Sequence, residues 1–444
     1  MENGSWRELA GRSGAVSVLA GGVLVGAVTI YVAASLLPTA VAEIGGTALY
    51  AWSMTVYLTV QVVATMFVGR LLSGQGTVRS YLLGAGVFAA GSMLCAMSPS
   101  MPVLVAGRGI QGLGAGLLTG LGFAVLHSAL PPHLWARGSA VISAMFGVGN
   151  LVGPALGGLC AQFGSWRWAF VALAAYAVLL GAGVRRVLPP GQPDGTVIPV
   201  PVVSLVLVVC AVGAVSTAGI VSGVAQPALL ALGFALLVAF VVAERRSAVT
   251  VLPRSACRRG SALRWIYPAI AFLAAGVAVE GFLPLFGQRL GGLAPVAAGF
   301  LAAVLSLGWA VGQILATPAR RAGLLIVAGP VVLTGCFVLL AIMHRQPPLL
   351  WLPVLLLGGA GIGVAMPHLS VAAMAEGEQA AAGIATVLTM AIVFGSAVAG
   401  VLVNLGDSST VDSAGYLMAG FALIAGCGVL VSAGASPRWR SPSR

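Results

Sequence analysis

Two ionisable residues lie deep inside long apolar stretches of this sequence, where a charge is costly and therefore informative. Glu280 follows about fifteen mostly apolar residues and stands about eight residues, roughly 12 Å, from the outer end of its stretch. Because burial penalises the ionised carboxylate, a carboxyl group at this depth can load and release protons near neutral pH. We predict that Glu280 carries protons. The alternative is an acid that is paired for structure or reaches the outer interface.

Arg108 is the second such residue, about seven residues, or roughly 10 Å, inside its stretch. A permanently charged arginine at that depth is costly unless it is paired or hydrated. We predict a role in proton coupling, in which the fixed positive charge promotes proton release nearby. The structural alternative is a guanidinium that bonds backbone carbonyls where helices meet.

The stretches that carry these two residues define the fold class. Of the 444 residues, 59% are hydrophobic and 7% are charged, a composition that excludes a soluble protein of this length. Fourteen apolar stretches are long enough to cross a bilayer, which takes about 20 residues. They predict an all-α integral membrane protein that has two pseudo-symmetric six-helix bundles and two central linker helices.

Charged and turn-rich segments divide this chain. We predict an N-terminal six-helix bundle over residues 1–187 and a C-terminal six-helix bundle over residues 265–444. Between them, residues 188–264 should form two additional transmembrane helices and a basic cytoplasmic loop. Of the two added stretches, 197–221 is long enough to span despite two prolines, whereas 227–243 is only just long enough.

The net charge of +12 comes from arginines whose placement indicates a membrane rather than a nucleic acid. If the N-terminus is cytoplasmic, most of the 22 basic residues fall at the inner ends of the stretches, and only Arg167, Arg289 and Arg345 fall outside. This positive-inside bias predicts that both termini are cytoplasmic and that arginines contact anionic membrane lipid. It excludes nucleic acid as a partner.

A glycine ridge marks the fifth stretch. Gly149, Gly153 and Gly157 recur every four residues and form one smooth helix face, which Pro154 and Gly158 interrupt. In lipid, small residues at this spacing let two helices approach closely. The string G-x3-GP-x2-GG resembles the antiporter motif in the fifth helix of drug exporters of the major facilitator superfamily.

The fourth stretch carries a second motif. Its string R-x2-QG-x-G resembles the fourth-helix motif of the same superfamily, whose arginine and glutamine match Arg108 and Gln111. The same stretch carries a second glycine ridge, formed by Gly112, Gly116 and Gly120. We expect this ridge to pack against the ridge of the fifth stretch.

Over essentially the whole chain, the sequence resembles an actinobacterial-type member of the fourteen-helix drug–proton antiporter branch. The resemblance implies efflux of amphipathic, often cationic or aromatic compounds in exchange for protons. Two positions depart from the pattern: Ser73 replaces an acid that normally helps latch the two halves, and Thr29 replaces a frequent first-helix aspartate. Glu43, at the outer interface, is expected to be solvated, so Glu280 remains the candidate carrier.

Five further polar or aromatic residues are candidates for lining a substrate cavity. Tyr57 and Gln61 lie one helical turn apart, as do Trp309 and Gln313, and Asn150 sits beside the glycine ridge of the fifth stretch. An aromatic ring and a few hydrogen-bond partners are what a small-molecule site needs. The alternative is that these side chains bond neighbouring helices.

The sequence offers no metal-ligand cluster, phosphate loop or nucleotide-binding domain, so we predict no catalytic residues, no metal, no cofactor and no direct use of ATP by this chain. We predict a secondary active exporter of amphipathic small molecules that works by proton antiport and alternating access. It should act as a monomer in the bacterial plasma (inner) membrane. A dedicated metabolite or natural-product exporter is one alternative. A transporter-like receptor without transport activity is the other, favoured by Ser73 and Thr29.

Overall fold

The computed structural model describes residues 6–188, 199–247, 249–253, 256, 260–316, 322–376, 378–406 and 409–435. Within these ranges the chain forms seventeen α-helices, with short 3-10 segments at several of the joints. In chain order the helices are α1 (Trp6–Ala10), α2 (Ser13–Ile44), α3 (Tyr50–Thr65), α4 (Val68–Ala96), α5 (Met101–Ala124), α6 (Leu126–Ala129), α7 (Trp135–Phe163), α8 (Arg167–Val187), α9 (Val202–Ala218), α10 (Ala225–Arg246), α11 (Leu263–Ala275), α12 (Leu283–Arg289), α13 (Pro295–Ala316), α14 (Ala322–Ile342), α15 (Leu352–Met374), α16 (Glu378–Leu405) and α17 (Thr410–Ala435).

Thirteen helical segments of the described chain are long and apolar enough to cross a membrane, and α9 is a shorter apolar helix of 17 residues. The predicted all-α membrane fold with about fourteen spanning helices is therefore confirmed. The expected lengths of the two added helices were wrong. α9 begins only after Pro201, because prolines lack the amide hydrogen that a helix interior requires. α10 is longer, at 22 residues, since Pro227 fits its first turn.

The first compact unit contains the described residues of 1–200 together with Ala294–Gly299. In it, α2 packs against α5, α7 and α8, while α5 also packs against α3 and α4, and α4 packs against α8. The helix α4 is broken at Gly76, whose φ of 76° lies in the left-handed region that glycine adopts without a steric penalty.

The second compact unit contains the described residues of 201–293 and 300–435. Here α11 packs against α16 and α17, and α14 packs against α15 and α17. The first unit pairs its helices in the same order, α2 with α7 and α8, and α4 with α5 and α8. The repeated pairing is what two pseudo-symmetric bundles require.

The α9–α10 hairpin belongs to the second unit and packs against α16. The buried carboxylate of Glu244 accepts hydrogen bonds from the Ser204 hydroxyl and from the amides of Val251 and Leu252. It thereby ties the start of α9 and the end of α10 to the segment that follows.

Three sequence predictions concern residues outside the described ranges. Both termini, at 1–5 and 436–444, lie outside them, as do residues 189–198 of the predicted linker. Several arginines of the basic segment at 244–264 also lie outside. The three-part domain division and the cytoplasmic termini accordingly stay predictions.

Candidate functional site

Arg108 is completely buried in the first unit, on the regular helix α5. Its Nε donates to the Ser53 carbonyl at 3.3 Å, and its Nη1 donates to Gln111 Oε1 at 2.5 Å. The guanidinium carbon lies 4.0 Å from the centre of the Tyr57 ring, a cation–π geometry. The buried positive charge is therefore stabilised by a backbone carbonyl, an amide oxygen and an aromatic face.

Gln111 extends this cluster to a third helix. Because Gln111 is one turn beyond Arg108 on α5, its side chain can accept from the guanidinium while its Nε2 donates to Ser92 Oγ on α4 at 2.8 Å. Among the described residues, no carboxylate forms an ion pair with Arg108, and its Nη2 has no hydrogen-bond partner. Arg108 thus keeps a positive charge whose described partners are all neutral.

Tyr57 lies under the guanidinium and connects it to α2. Its ring is fully buried, and its hydroxyl donates to the Gly26 carbonyl at 3.2 Å. Thr29, one turn further along α2, is also fully buried and donates to the Val25 carbonyl of its own helix. Gln61, one turn after Tyr57, is only half-buried. Of these, the structure brings Tyr57 directly to Arg108.

The glycine ridge of α7 faces α2. A Cβ added at Gly153 would lie 2.5 Å from Tyr31 Cβ, and one added at Gly157 would lie 2.9 Å from Val32 Cα. One added at Gly149 would lie 2.7 Å from Ala27 Cβ. No side chain fits at such distances, so the ridge lets the two backbones touch.

The expected contact between the two glycine ridges is wrong. A Cβ at Gly112 would lie 3.1 Å from Tyr57 Cα, and one at Gly116 would lie 2.7 Å from Ala64 Cβ, both on α3. A Cβ at Gly120 would meet Val68 at the start of α4. The glycine spacing predicts a smooth helix face, but it does not predict which helix packs on that face, because any helix of matching curvature can do so. Leucine at Gly153 should therefore separate α7 from α2 rather than α7 from α5.

Pro154 and Gly158, which follow two of the ridge glycines, lie next to the start of α13. A Cβ at Gly158 would lie 2.5 Å from Val296 Cα, and one at Gly299 would lie 3.1 Å from Pro154 Cβ. Both partners, Val296 and Gly299, belong to the segment Ala294–Gly299, which contains the start of α13 and clusters with the first unit. Asn150 is half-buried on α7 beside Gly149. The motif therefore has two contact faces, on α2 and on the start of α13.

In the second unit, Glu280 lies where the predicted ninth stretch is interrupted. The α-helix stops at Ala275, a 3-10 segment runs over Gly276–Gly281, and α12 begins at Leu283. Pro284 explains the break, because it has no amide hydrogen to donate to the Glu280 carbonyl and its ring would clash with that carbonyl in a regular helix. A 3-10 stretch inside a helix often marks a functional hinge.

Glu280 is 6% exposed, and its carboxyl group accepts a hydrogen bond from Ser306 Oγ on α13 at 2.5 Å. Trp309 and Gln313 follow Ser306 at three and seven residues, so the three side chains share one helix face. The Trp309 indole nitrogen is buried and has no hydrogen-bond partner in the described part of the chain. The structure thus places Trp309 and Gln313 on the face of α13 that reaches Glu280.

A second glycine contact, missed in the sequence, fixes α13 against α15. A Cβ at Gly359 would lie 2.9 Å from the Trp309 amide nitrogen, and one at Gly363 would lie 2.6 Å from the Gln313 amide nitrogen. Gly308 and Gly312 on α13 meet Leu356 and Ala360 in the same way. Both helices carry the G-x3-G spacing, so the signal was in the sequence.

Two polar residues singled out in the sequence are held within the first unit. Glu43 accepts from Arg167 Nη1 at 2.5 Å and from the Trp166 indole at 2.7 Å, so it is paired although its side chain is 51% exposed. Ser73 is buried and donates to the Arg70 carbonyl of its own helix. Within the described residues, no three His, Cys, Asp or Glu side chains group to hold a metal ion.

Comparison with known proteins identifies the family. A family model described as Major Facilitator Superfamily matches residues 19–399. The chain is 45% identical to a protein of Mycobacterium tuberculosis named as a probable multidrug-efflux transporter, over 99% of this chain and 98% of that protein. It is 24% identical to multidrug resistance protein 3 of Bacillus subtilis, over 80% of this chain and 72% of that protein.

The fold is also similar to solved structures. A crystal structure of the peptide transporter POT in complex with sulfate gives a TM-score of 0.72 at 16% identity, covering 96% of this chain and 94% of that chain. At this identity the likeness concerns the fold alone. The superfamily resemblance seen in the fourth and fifth helices is confirmed across most of the chain. This protein is a multi-pass membrane protein that belongs to the Major Facilitator Superfamily, a family of membrane transporters.

Proposed function

We propose that this protein is a secondary active exporter that exchanges protons for amphipathic small molecules by alternating access. The observation that carries the proposal is Glu280, a buried carboxyl group on a broken helix, within hydrogen-bonding distance of Ser306. The names of the multidrug transporters to which the chain is similar support drugs as the substrate class.

Glu280 is the proposed proton carrier because its charge is expensive to bury and its backbone is not locked in a regular helix. Uptake of a proton neutralises the carboxylate and lowers the cost of enclosing it, whereas release restores the charge when the site opens to water. Coupling follows if Glu280 takes a proton from the outer side and gives it up to the inner side as substrate moves outward.

The residues proposed to contact substrate are Trp309 and Gln313 on α13 in the second unit and, in the first unit, Tyr57, Gln61 and Asn150. An indole and an amide supply an aromatic surface and hydrogen-bonding groups, the mixture that small-molecule sites use. Arg108 is proposed to act as a fixed positive charge, because its described partners are all neutral and leave its charge in place.

We also propose an orientation in the membrane and an oligomeric state. Both termini and the segment 244–264 are cytoplasmic, and the arginines there contact anionic lipid. One chain contains both units, so a monomer suffices. Cysteine labelling from the outer face, in a cysteine-free background, should modify a probe at Ser222 but not at Ser247. Labelling at Ser247 would contradict the orientation.

The test of function is proton flux in proteoliposomes that contain only this protein. Addition of a cationic aromatic dye should drive proton movement in the opposite direction, and a proton gradient should drive dye accumulation. A parallel screen with extracts of the producing cell separates drugs from an endogenous metabolite. Binding without flux for every compound would indicate a receptor and contradict the exporter.

A further inference from the structure

We propose that Ser306 is the positioning residue of the proton site, holding the Glu280 carboxyl group in one place in both of its protonation states. The inference rests on the proposed function, in which Glu280 carries the proton. Its geometric basis is the 2.5 Å separation between Ser306 Oγ and Glu280 Oε1, across two different segments of the second unit.

The chemistry of a hydroxyl group suits this task. An ionised carboxylate only accepts hydrogen bonds, and a hydroxyl can donate to it. A protonated carboxyl group also donates, and a hydroxyl oxygen can accept from it. An amine or an indole can only donate, so it would hold one of the two states. Serine therefore stays bonded to Glu280 while the proton arrives and leaves, and no neighbouring side chain has to repack.

The surroundings of Ser306 make it the fixed member of the pair. It lies on α13 just before Gly308 and Gly312, where the backbones of α13 and α15 touch. Glu280, in contrast, lies on the 3-10 segment between Gly276 and Gly281. A hydroxyl on a rigid helix can locate a carboxyl group whose own backbone is not regular.

Helical hydroxyls elsewhere in this protein show why the contact is informative. Thr29, Ser80, Ser92 and Thr334 each donate to the carbonyl four residues earlier in their own helix, the usual local bond for such residues. Ser306 reaches a carboxyl group 26 residues away in sequence. Such a contact joins two parts of the fold.

The test combines infrared spectroscopy with transport in the full-length, reconstituted protein. The Glu280 carboxyl band is identified in pH-difference spectra by its disappearance in Glu280→Gln. In Ser306→Ala that band should move to higher frequency, because a hydrogen bond lowers the stretching frequency of a carboxyl carbonyl. Dye-driven proton flux should fall roughly tenfold, the scale of one hydrogen bond to a charged group. Dye exchange without a gradient should stay within about twofold of the parent.

Two further variants separate positioning from simple structural damage. Ser306→Thr keeps the hydroxyl and should keep both the parent band and the parent flux. Thr334→Ala removes a hydroxyl that bonds its own helix on α14 and should change neither.

The outcomes are distinguishable. A Glu280 band that does not move in Ser306→Ala contradicts the role of Ser306 and leaves the proposed function intact. Full proton coupling in Glu280→Gln contradicts the proposed function itself. A loss of gradient-free dye exchange in Ser306→Ala as large as its loss of proton flux also contradicts positioning, since the damage would then affect transport as a whole rather than the carboxyl group.

Discussion

Arg108 in the first unit and Glu280 in the second are both buried, but the helices that carry them differ. Arg108 stands on an unbroken helix, and its guanidinium contacts Ser53 and Tyr57 of α3 and Gln111 of α5. Glu280 stands on a 3-10 segment that Pro284 prevents from becoming a regular helix. The first arrangement suits a charge that stays fixed, and the second suits a group that changes its charge.

The two regions also share one structural feature, which is a close contact between two helices at a glycine next to the site. Gly112 lets α5 touch the backbone of Tyr57, the residue under the guanidinium. Gly359 lets α15 touch the backbone of Trp309, one turn from the hydroxyl that reaches Glu280. The difference between the sites therefore lies in the charged residue and its own segment, rather than in the packing of the helices behind it.

The largest expected effect comes from filling these contacts. Gly112→Leu and Gly359→Leu should each lower the free energy of unfolding by at least about 3 kcal/mol, the upper end for overpacked sites, because backbone atoms occupy the space. Gly86→Leu on α4 and Gly335→Leu on α14 are matched controls, since a Cβ at either meets nothing within 4 Å. Thermal melting in detergent measures both pairs. Equal melting temperatures for a variant and its control would show that the glycine contact does not stabilise the fold at that site.

The next effect concerns the fixed charge. Arg108→Lys keeps the charge but cannot reproduce the Nε bond, the Nη1 bond and the stacking on Tyr57 together. We expect transport to fall by roughly tenfold or more, the scale of one lost hydrogen bond to a charged group. The control is Arg289→Lys, which changes an exposed arginine. A lysine variant that transports like the parent would show that only the charge of residue 108 matters.

A smaller effect should follow from placing a carboxylate within hydrogen-bonding distance of Arg108. Gln111→Glu places an acid at the Nη1 contact, so the positive charge would be compensated. We expect proton-coupled transport to fall by about threefold, whereas the melting temperature stays level or rises because the carboxylate accepts a stronger, charge-assisted hydrogen bond from the buried guanidinium. Gln111→Met, which removes the bond without adding charge, should lower the melting temperature instead. Parent-like coupling in Gln111→Glu would show that the uncompensated charge is not required.

Much of the fold could be predicted from the sequence, because a bilayer requires long apolar stretches and the chain has little else. The buried positions of Arg108 and Glu280 followed from the same pattern. The helices that the glycine ridges contact could not be predicted, because the spacing of the glycines describes one face of one helix only. Ser306 was missed because a helical serine usually bonds its own helix. The break at Glu280 could have been predicted from Pro284, four residues later, by its missing amide hydrogen.

The most direct test of the central claim, that Glu280 carries the proton, is transport by Glu280→Gln in proteoliposomes. Glutamine keeps the size and the hydrogen bonding of the side chain but cannot titrate. The variant should still exchange labelled dye across the membrane without a gradient, yet it should lose dye accumulation driven by a proton gradient and the pH dependence of dye binding. Gradient-driven accumulation equal to that of the parent, with accumulation lost instead in Arg108→Ala or Glu43→Gln, would contradict the assignment.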